Sequence, residues 1–161
     1  MAILDNIRNV MNKVIRIVCI LLFAFMVIIG TYQILVRYIF NSPSTVSEEL
    51  LTYSFTWISL FAAAYVFGKR EHMRMGFLAD KLNKKKLTIL NSIIEIIIIA
   101  FALIVMVYGG ISITSLSMTQ KTASLGIPMG YVYIVIPITG VVIAVYGVLN
   151  VICLIRKGEE A

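Results

Sequence analysis

Apolar residues in this chain fall in four long runs separated by short polar segments. A bilayer core of about 30 Å needs about 20 helical residues at a rise of ~1.5 Å each. The runs at 14–40, 46–67, 87–110 and 128–155 all reach that length. They are continuously apolar rather than alternating, so they predict helices and not the strands of a barrel. The expected fold is all-α: one integral membrane domain over 1–161 with four transmembrane helices.

Two flanking segments carry a different pattern. In 2–13, Ile3, Ile7, Val10 and Met11, continuing to Val14, recur at three- and four-residue spacing. Asp5, Asn6, Arg8, Asn9, Asn12 and Lys13 fill the other face. In 71–84, Met75, Leu78, Ala79 and Leu82 share one helical face, and Arg74, Lys81 and Lys84 the other. Both read as short amphipathic helices lying in the membrane interface. The alternatives are a frayed terminus for the first and a solvated loop for the second.

The turn Asn41-Ser42-Pro43-Ser44 is short, which predicts antiparallel neighbours in the first two spans. Thr45 and Glu48 fit the spacing of a capping box. Glu48 and Glu49 both fall in the first helical turn, where the helix dipole favours negative charge. That accounts for one carboxylate. The other is a candidate partner for Arg37, at the same membrane face on the end of the first run. Trp57 stands in mid-span, away from the interface where tryptophan concentrates, so it is expected to pack on another helix. Pro137 should kink the last run, and Gly140 with Ala144 offers a small-residue packing face. Beyond Gly109-Gly110 the third run turns polar, which predicts either a helix continuing past the membrane or a strong tilt.

Composition sharpens this picture. Of 161 residues, 60% are hydrophobic and 14% charged, against about 25% charged in soluble domains. The net charge of +6 sits between the apolar runs, which fits membrane topology and not nucleic-acid binding. Arg8, Lys13 and Arg16 precede the first run, seven Lys and Arg lie between the second and third, and Arg156 and Lys157 follow the fourth. Arg37 and Lys121 stand alone in the other two connections. The positive-inside rule then places both termini and the connection between the second and third runs on the cytoplasmic side. Tyr38, Phe40, Tyr131 and Tyr133 would form the outer aromatic belt, and Tyr65, Phe67 and Tyr146 the inner one. The first run is longer than a signal-peptide core and lacks a small-x-small site behind it, so it reads as a retained span.

Candidate chemistry is sparse. Cys19 and Cys153 both lie inside apolar runs, and His72 is the single histidine. No metal-ligand cluster, haem-ligating pair, nucleophile with a base or phosphate-binding loop is legible. No catalytic, substrate-binding or metal site and no cofactor is expected. Glu95 lies about two turns inside the third run. It reads either as a boundary residue bonded to Arg16 or Lys13, or as an intramembrane site.

The ordered set Arg37-Tyr38-Ile39-Phe40-Asn41, Pro43, Glu48-Glu49-Leu50, Tyr53, Trp57 and Arg70-Glu71-His72 resembles the small, DctQ-like membrane subunit of tripartite ATP-independent periplasmic (TRAP) transporters. Length and the four-span topology agree. Gly76 departs from the pattern, standing where the family often has an acidic residue. The resemblance implies a non-enzymatic accessory subunit of a sodium-coupled symporter for organic acids, such as dicarboxylates or sialic acid. It implies two partners besides the lipid bilayer: a large multi-span subunit working as an elevator, and a periplasmic solute-binding protein. The small subunit would brace the large one. Arg37, Glu49, Tyr53, Trp57, Arg70, Glu71, His72 and Glu95 become the candidate interface or structural residues. The competing readings are a self-contained four-helix proton-coupled exporter using Glu95, and a membrane anchor for a redox enzyme, which the lack of haem-ligating histidines disfavours.

Overall fold

The computed structural model describes residues 2–69 and 84–159, with side chains described over 6–69 and 89–154. Arg70, Glu71 and His72 lie outside the described residues, as does the 71–84 segment apart from the backbone of Lys84. Four helical stretches are long and apolar enough to cross a membrane: Asn6–Tyr38, Thr45–Gly68, Ile89–Thr119 and Gly130–Leu154. They are spans 1 to 4 below.

Helix α1 (Ala2–Tyr38) is a single element of 37 residues, about 55 Å long. The amphipathic 2–13 segment therefore continues into span 1 as one rod. Its apolar side, Ile7, Val10 and Val14, is exposed, while Met11 and Ile15 turn into the core. The rod ends at Asn41, whose φ of 50° is left-handed. The Ser42 amide then reaches back to the Val36 carbonyl at 3.2 Å, a helix stop that asparagine tolerates better than other L residues do. Asn41→Val is expected to destabilise the chain by about 1–2 kcal/mol, with Asn41→Gly close to neutral, measured by thermal unfolding in detergent.

Helix α2 (Thr45–Gly68) starts one residue earlier than the capping box predicts. Ser44 is the N-cap, and its hydroxyl accepts from the Ser47 amide at 3.4 Å while the Ser47 hydroxyl donates to the Ser44 carbonyl at 2.9 Å. Serine outranks the β-branched threonine as a cap. Glu48 thus sits past the box position and is exposed.

Span 3 is built from α3 (Lys84–Phe101), a π-helical segment (Ala102–Gly109), α4 (Gly110–Leu116) and a 3-10 turn (Ser117–Thr119). It continues as helix past Gly110 to Thr119, which both a helix leaving the membrane and a strongly tilted one would do. The π segment has a geometric reason. In an α-helix a stride of four residues drifts by about 40° around the axis. The wider π turn cancels most of that drift. Ala102, Met106, Gly110 and Thr114, four apart, consequently line one face, with Ala102, Gly110 and Thr114 buried and Met106 against Gly140.

A connection then folds back on itself through an antiparallel bridge between Lys121 and Pro128. Gly126, with φ of 67°, makes its tight corner. Span 4 comprises α5 (Gly130–Tyr133) and α6 (Val135–Glu159), interrupted at Ile134. The interruption lies one turn ahead of Pro137, where the missing proline N–H and the ring's clash with the preceding turn act.

The spans stand in a row rather than a closed ring. Span 1 packs on span 2, span 2 on span 4, and span 4 on span 3, with spans 1 and 4 meeting at their terminal ends. Burial follows this order: 50% of an 18-residue apolar stretch of span 4 is buried, against 6% for span 1 and 11% for span 3. Glycines set the closest approach in the second half. A Cβ on Gly140 would stand 2.7 Å from Met106 Cβ, one on Gly147 would stand 2.5 Å from Ile99 Cγ1, and one on Gly110 would stand 2.9 Å from Pro137 Cδ. The predicted Gly140 and Ala144 face is thus the seam with span 3 at Gly140, and Ala144 is buried.

Candidate functional site

Glu49, Tyr53 and Trp57 recur every four residues and form one stripe on α2. The stripe faces the connection between spans 3 and 4. Glu49 Oε1 accepts from the Tyr53 hydroxyl at 2.5 Å and from the Ala123 amide at 3.1 Å. Its Oε2 accepts from the amides of Ser124 and Leu125, both at 2.8 Å. Three consecutive backbone N–H groups converging on one anion form a nest. Here a side chain of the same molecule fills it.

The connection is shaped for this contact. The buried Thr122 donates its amide to the Ile127 carbonyl at 2.8 Å, and its hydroxyl accepts from the Ile127 amide at 3.2 Å. Met129 donates its amide to the Gln120 carbonyl at 2.8 Å. With those bonds made inside the loop, the 123–125 amides are left pointing at Glu49. The Tyr53 hydroxyl also lies 3.5 Å from Met129 Sδ. Two turns deeper, Trp57 Nε1 donates to the Val132 carbonyl at 3.0 Å, beside the interruption in span 4. Its ring meets Phe61 edge-on, with centroids 6.4 Å apart. The mid-span tryptophan thus packs on another helix, as its position predicts, and α2 is clasped at three levels, to the connection between spans 3 and 4 at Glu49 and Tyr53 and to the start of span 4 at Trp57.

A second polar cluster holds the terminal end. Tyr146, fully buried on α6, donates its hydroxyl to Asn12 Oδ1 at 2.7 Å. Its ring fills the space over Gly68, where a Cβ would stand 2.5 Å from it. Arg8 donates from Nη2 to Oδ1 of the fully buried Asn150 at 2.6 Å. Sequence reasoning missed this cluster by assigning Arg8 and Asn12 to the outward face. In lipid the apolar face can look out, and the polar one can look in. The signal was present: Asn150 lies inside an apolar run, one turn after Tyr146.

The structure does not bring all the candidates together. Arg37 is exposed and lies against the ring of its neighbour Tyr38, 5.9 Å from the centroid. Glu49, its candidate partner, is engaged by backbone amides instead. Glu95 is half-buried on α3 and faces α6 near Gly147. It is remote from the Glu49 stripe, at the other end of the bundle. Among the described residues, no three of His, Cys, Asp and Glu converge as a metal site would need.

The clasp residues therefore do structural work between two helical hairpins. The profile of the DctQ component of tripartite ATP-independent periplasmic transporters matches residues 26–157. This chain belongs to the DctQ family. It is 25% identical over 157 residues to a TRAP transporter small permease protein of Haemophilus influenzae, covering 96% of this chain and 97% of that one. It is 27% identical over 140 residues to the sialic acid TRAP transporter small permease protein SiaQ of Vibrio cholerae, covering 82% and 81%. A DctQ chain is a transporter subunit and not an enzyme. Its four spans make this one a multi-pass inner-membrane protein.

Proposed function

We propose that this DctQ chain braces the stationary scaffold of a large elevator-type subunit in a sodium-coupled symporter for organic acids. A periplasmic solute-binding protein delivers the substrate, and both termini lie in the cytoplasm. The carboxylate class is supported by the relative named for sialic acid. The observation that carries the bracing role is the clasp: one carboxylate on α2 holds three amides of the connection between spans 3 and 4. A brace must resist relative movement of its own hairpins while its partner moves. Polar bonds at both rims of an apolar row supply that resistance. The open row also favours a bracing role over a self-contained exporter, which needs spans wrapped around a path.

The test is assembly. Glu49→Gln keeps the shape but removes the charge that the three amides face. It is expected to lower co-purification with the large subunit several-fold and to lower substrate uptake in parallel, with Glu48→Gln, which is exposed, as the unaffected control. Unchanged assembly and uptake in Glu49→Gln would sink the bracing role. Vesicles holding this chain alone are expected to move no organic acid, in wild type and in Glu95→Gln alike.

A further inference from the structure

The π segment that turns Ala102, Gly110 and Thr114 into the core turns another set of residues out. By the same stride of four, Ile104, Tyr108, Ser112 and Leu116 line the opposite face, and all are exposed. Tyr108 is 75% exposed, and its depth makes that exposure costly. Gly110 meets Pro137 and Met106 meets Gly140, so Tyr108 stands level with residues 137–140 of span 4. Span 4 runs from Gly130 to Leu154, and its middle, at Val142, is about one turn away. Side chains on a helix lean toward its N-terminus. For span 3 that is the end of the bundle carrying the chain termini. The phenol therefore leans toward the middle of the membrane and away from the nearer rim.

A lipid-facing hydroxyl at that depth needs a hydrogen-bond partner, and acyl chains offer none. Serine and threonine solve this within their own helix. The Ser112 hydroxyl donates to the Tyr108 carbonyl at 3.1 Å, and on α2 those of Thr52, Thr56 and Ser59 bond back in the same way. The tyrosine ring holds its hydroxyl too far from its own backbone for that. Among the described residues, the Tyr108 hydroxyl has no partner. The helix ends at Thr119, and Lys121 follows at the rim, exposed. Among the described residues, no carboxylate pairs with Lys121. Glu49 of the clasp is held by the 123–125 amides instead.

The occupant this face fits is a helix of another protein, with a hydrogen-bond acceptor near mid-membrane and a carboxylate at the rim. A second copy meeting it face to face does not supply that. No acidic residue stands between Glu95 and Glu159, so two such faces would set Lys121 against Lys121. We propose that the Tyr108 face of span 3 docks a transmembrane helix of the large subunit, with Tyr108 donating to that helix and Lys121 paired with its carboxylate. The proposal rests on the bracing role above and gives that role a surface. The clasp gains a second effect: by fixing the connection, Glu49 fixes the place of Lys121.

The experiment is photo-crosslinking in the assembled transporter, with p-benzoylphenylalanine in place of Ser112 on this face or of Ile28, exposed on α1. Ser112 should give an adduct with the large subunit, and Ile28 should not. Absence of the Ser112 adduct in a complex that still co-purifies would overturn the face and leave the bracing role standing. Equal adducts from both positions would overturn it too, as would an adduct of two copies of this chain from Ser112. If the wild-type chain does not co-purify with the large subunit at all, the bracing role falls and this proposal with it. Tyr108→Phe keeps the ring and should lower co-purification about threefold, the scale of one hydrogen bond between membrane helices. Thermal unfolding of the purified chain should not change in that variant, since the hydroxyl bonds nothing within it. Lys121→Glu should lower co-purification further, and Lys121→Arg should preserve it. Unchanged co-purification in both Tyr108→Phe and Lys121→Glu would overturn the proposal.

Discussion

Replacing Trp57 with alanine should lower the unfolding free energy of the purified chain by about 3 kcal/mol, the largest effect of any single side-chain truncation at the clasp. The indole supplies volume against Phe61 and a hydrogen bond to the Val132 carbonyl across the seam between α2 and span 4. Alanine removes both. Trp57→Phe keeps most of the volume and loses the bond, worth about 1 kcal/mol between membrane helices. The ratio of the two losses, read by denaturant titration in mixed micelles, separates packing from hydrogen bonding. Equal losses would show that the hydrogen bond alone matters. No loss in either would show that spans 2 and 4 do not depend on this contact. Co-purification of the large subunit should fall in the same order.

Gly110 and Gly109 offer a contrast between adjacent positions. A Cβ at Gly110 would lie 2.9 Å from Pro137 Cδ and 3.0 Å from Pro137 N. Those atoms belong to a ring and a backbone that cannot swing aside, so Gly110→Ala is expected to cost about 2 kcal/mol. At Gly109 the nearest atom is the Ile104 carbonyl oxygen at 3.8 Å. Gly109→Ala is therefore neutral, or stabilising by up to about 1 kcal/mol through the better helix propensity of alanine. Both follow from unfolding of the purified variants. A reversed order would mean that span 3 does not present Gly110 to span 4, and that the π segment does not set the register described.

Much of this was legible in the residues. Long apolar runs in a bilayer admit few structures, so the four spans and the turn at 41–44 follow from length and pattern. Glu49, Tyr53 and Trp57 stood out because polar and aromatic groups in apolar runs need a reason. Their partners were hidden. Glu49 binds backbone amides of residues 123–125, and every residue type but proline has such an amide. Side-chain identity therefore carried no trace of the contact, and Arg37 was the visible alternative. The π segment was hidden for a related reason: Ala102–Gly109 is apolar almost throughout, so no polar residue reports its register. The inward turn of Arg8 and Asn12 required knowing that lipid, and not water, surrounds the start of α1.

The order of the row bears on how the chain is made. Spans 1 and 2 leave the ribosome first and can pair at once. Span 3 follows, but its neighbour is span 4 and not the hairpin already in the membrane. Until the final helix is synthesised, the first hairpin can reach the rest of the chain through the contacts of Glu49 and Tyr53 with residues 123–129, while those of Trp57, Asn12 and Arg8 wait on residues from Val132 to Asn150. A premature stop before Val135 would thus spare most of the coding sequence yet leave quality-control proteases an unassembled product.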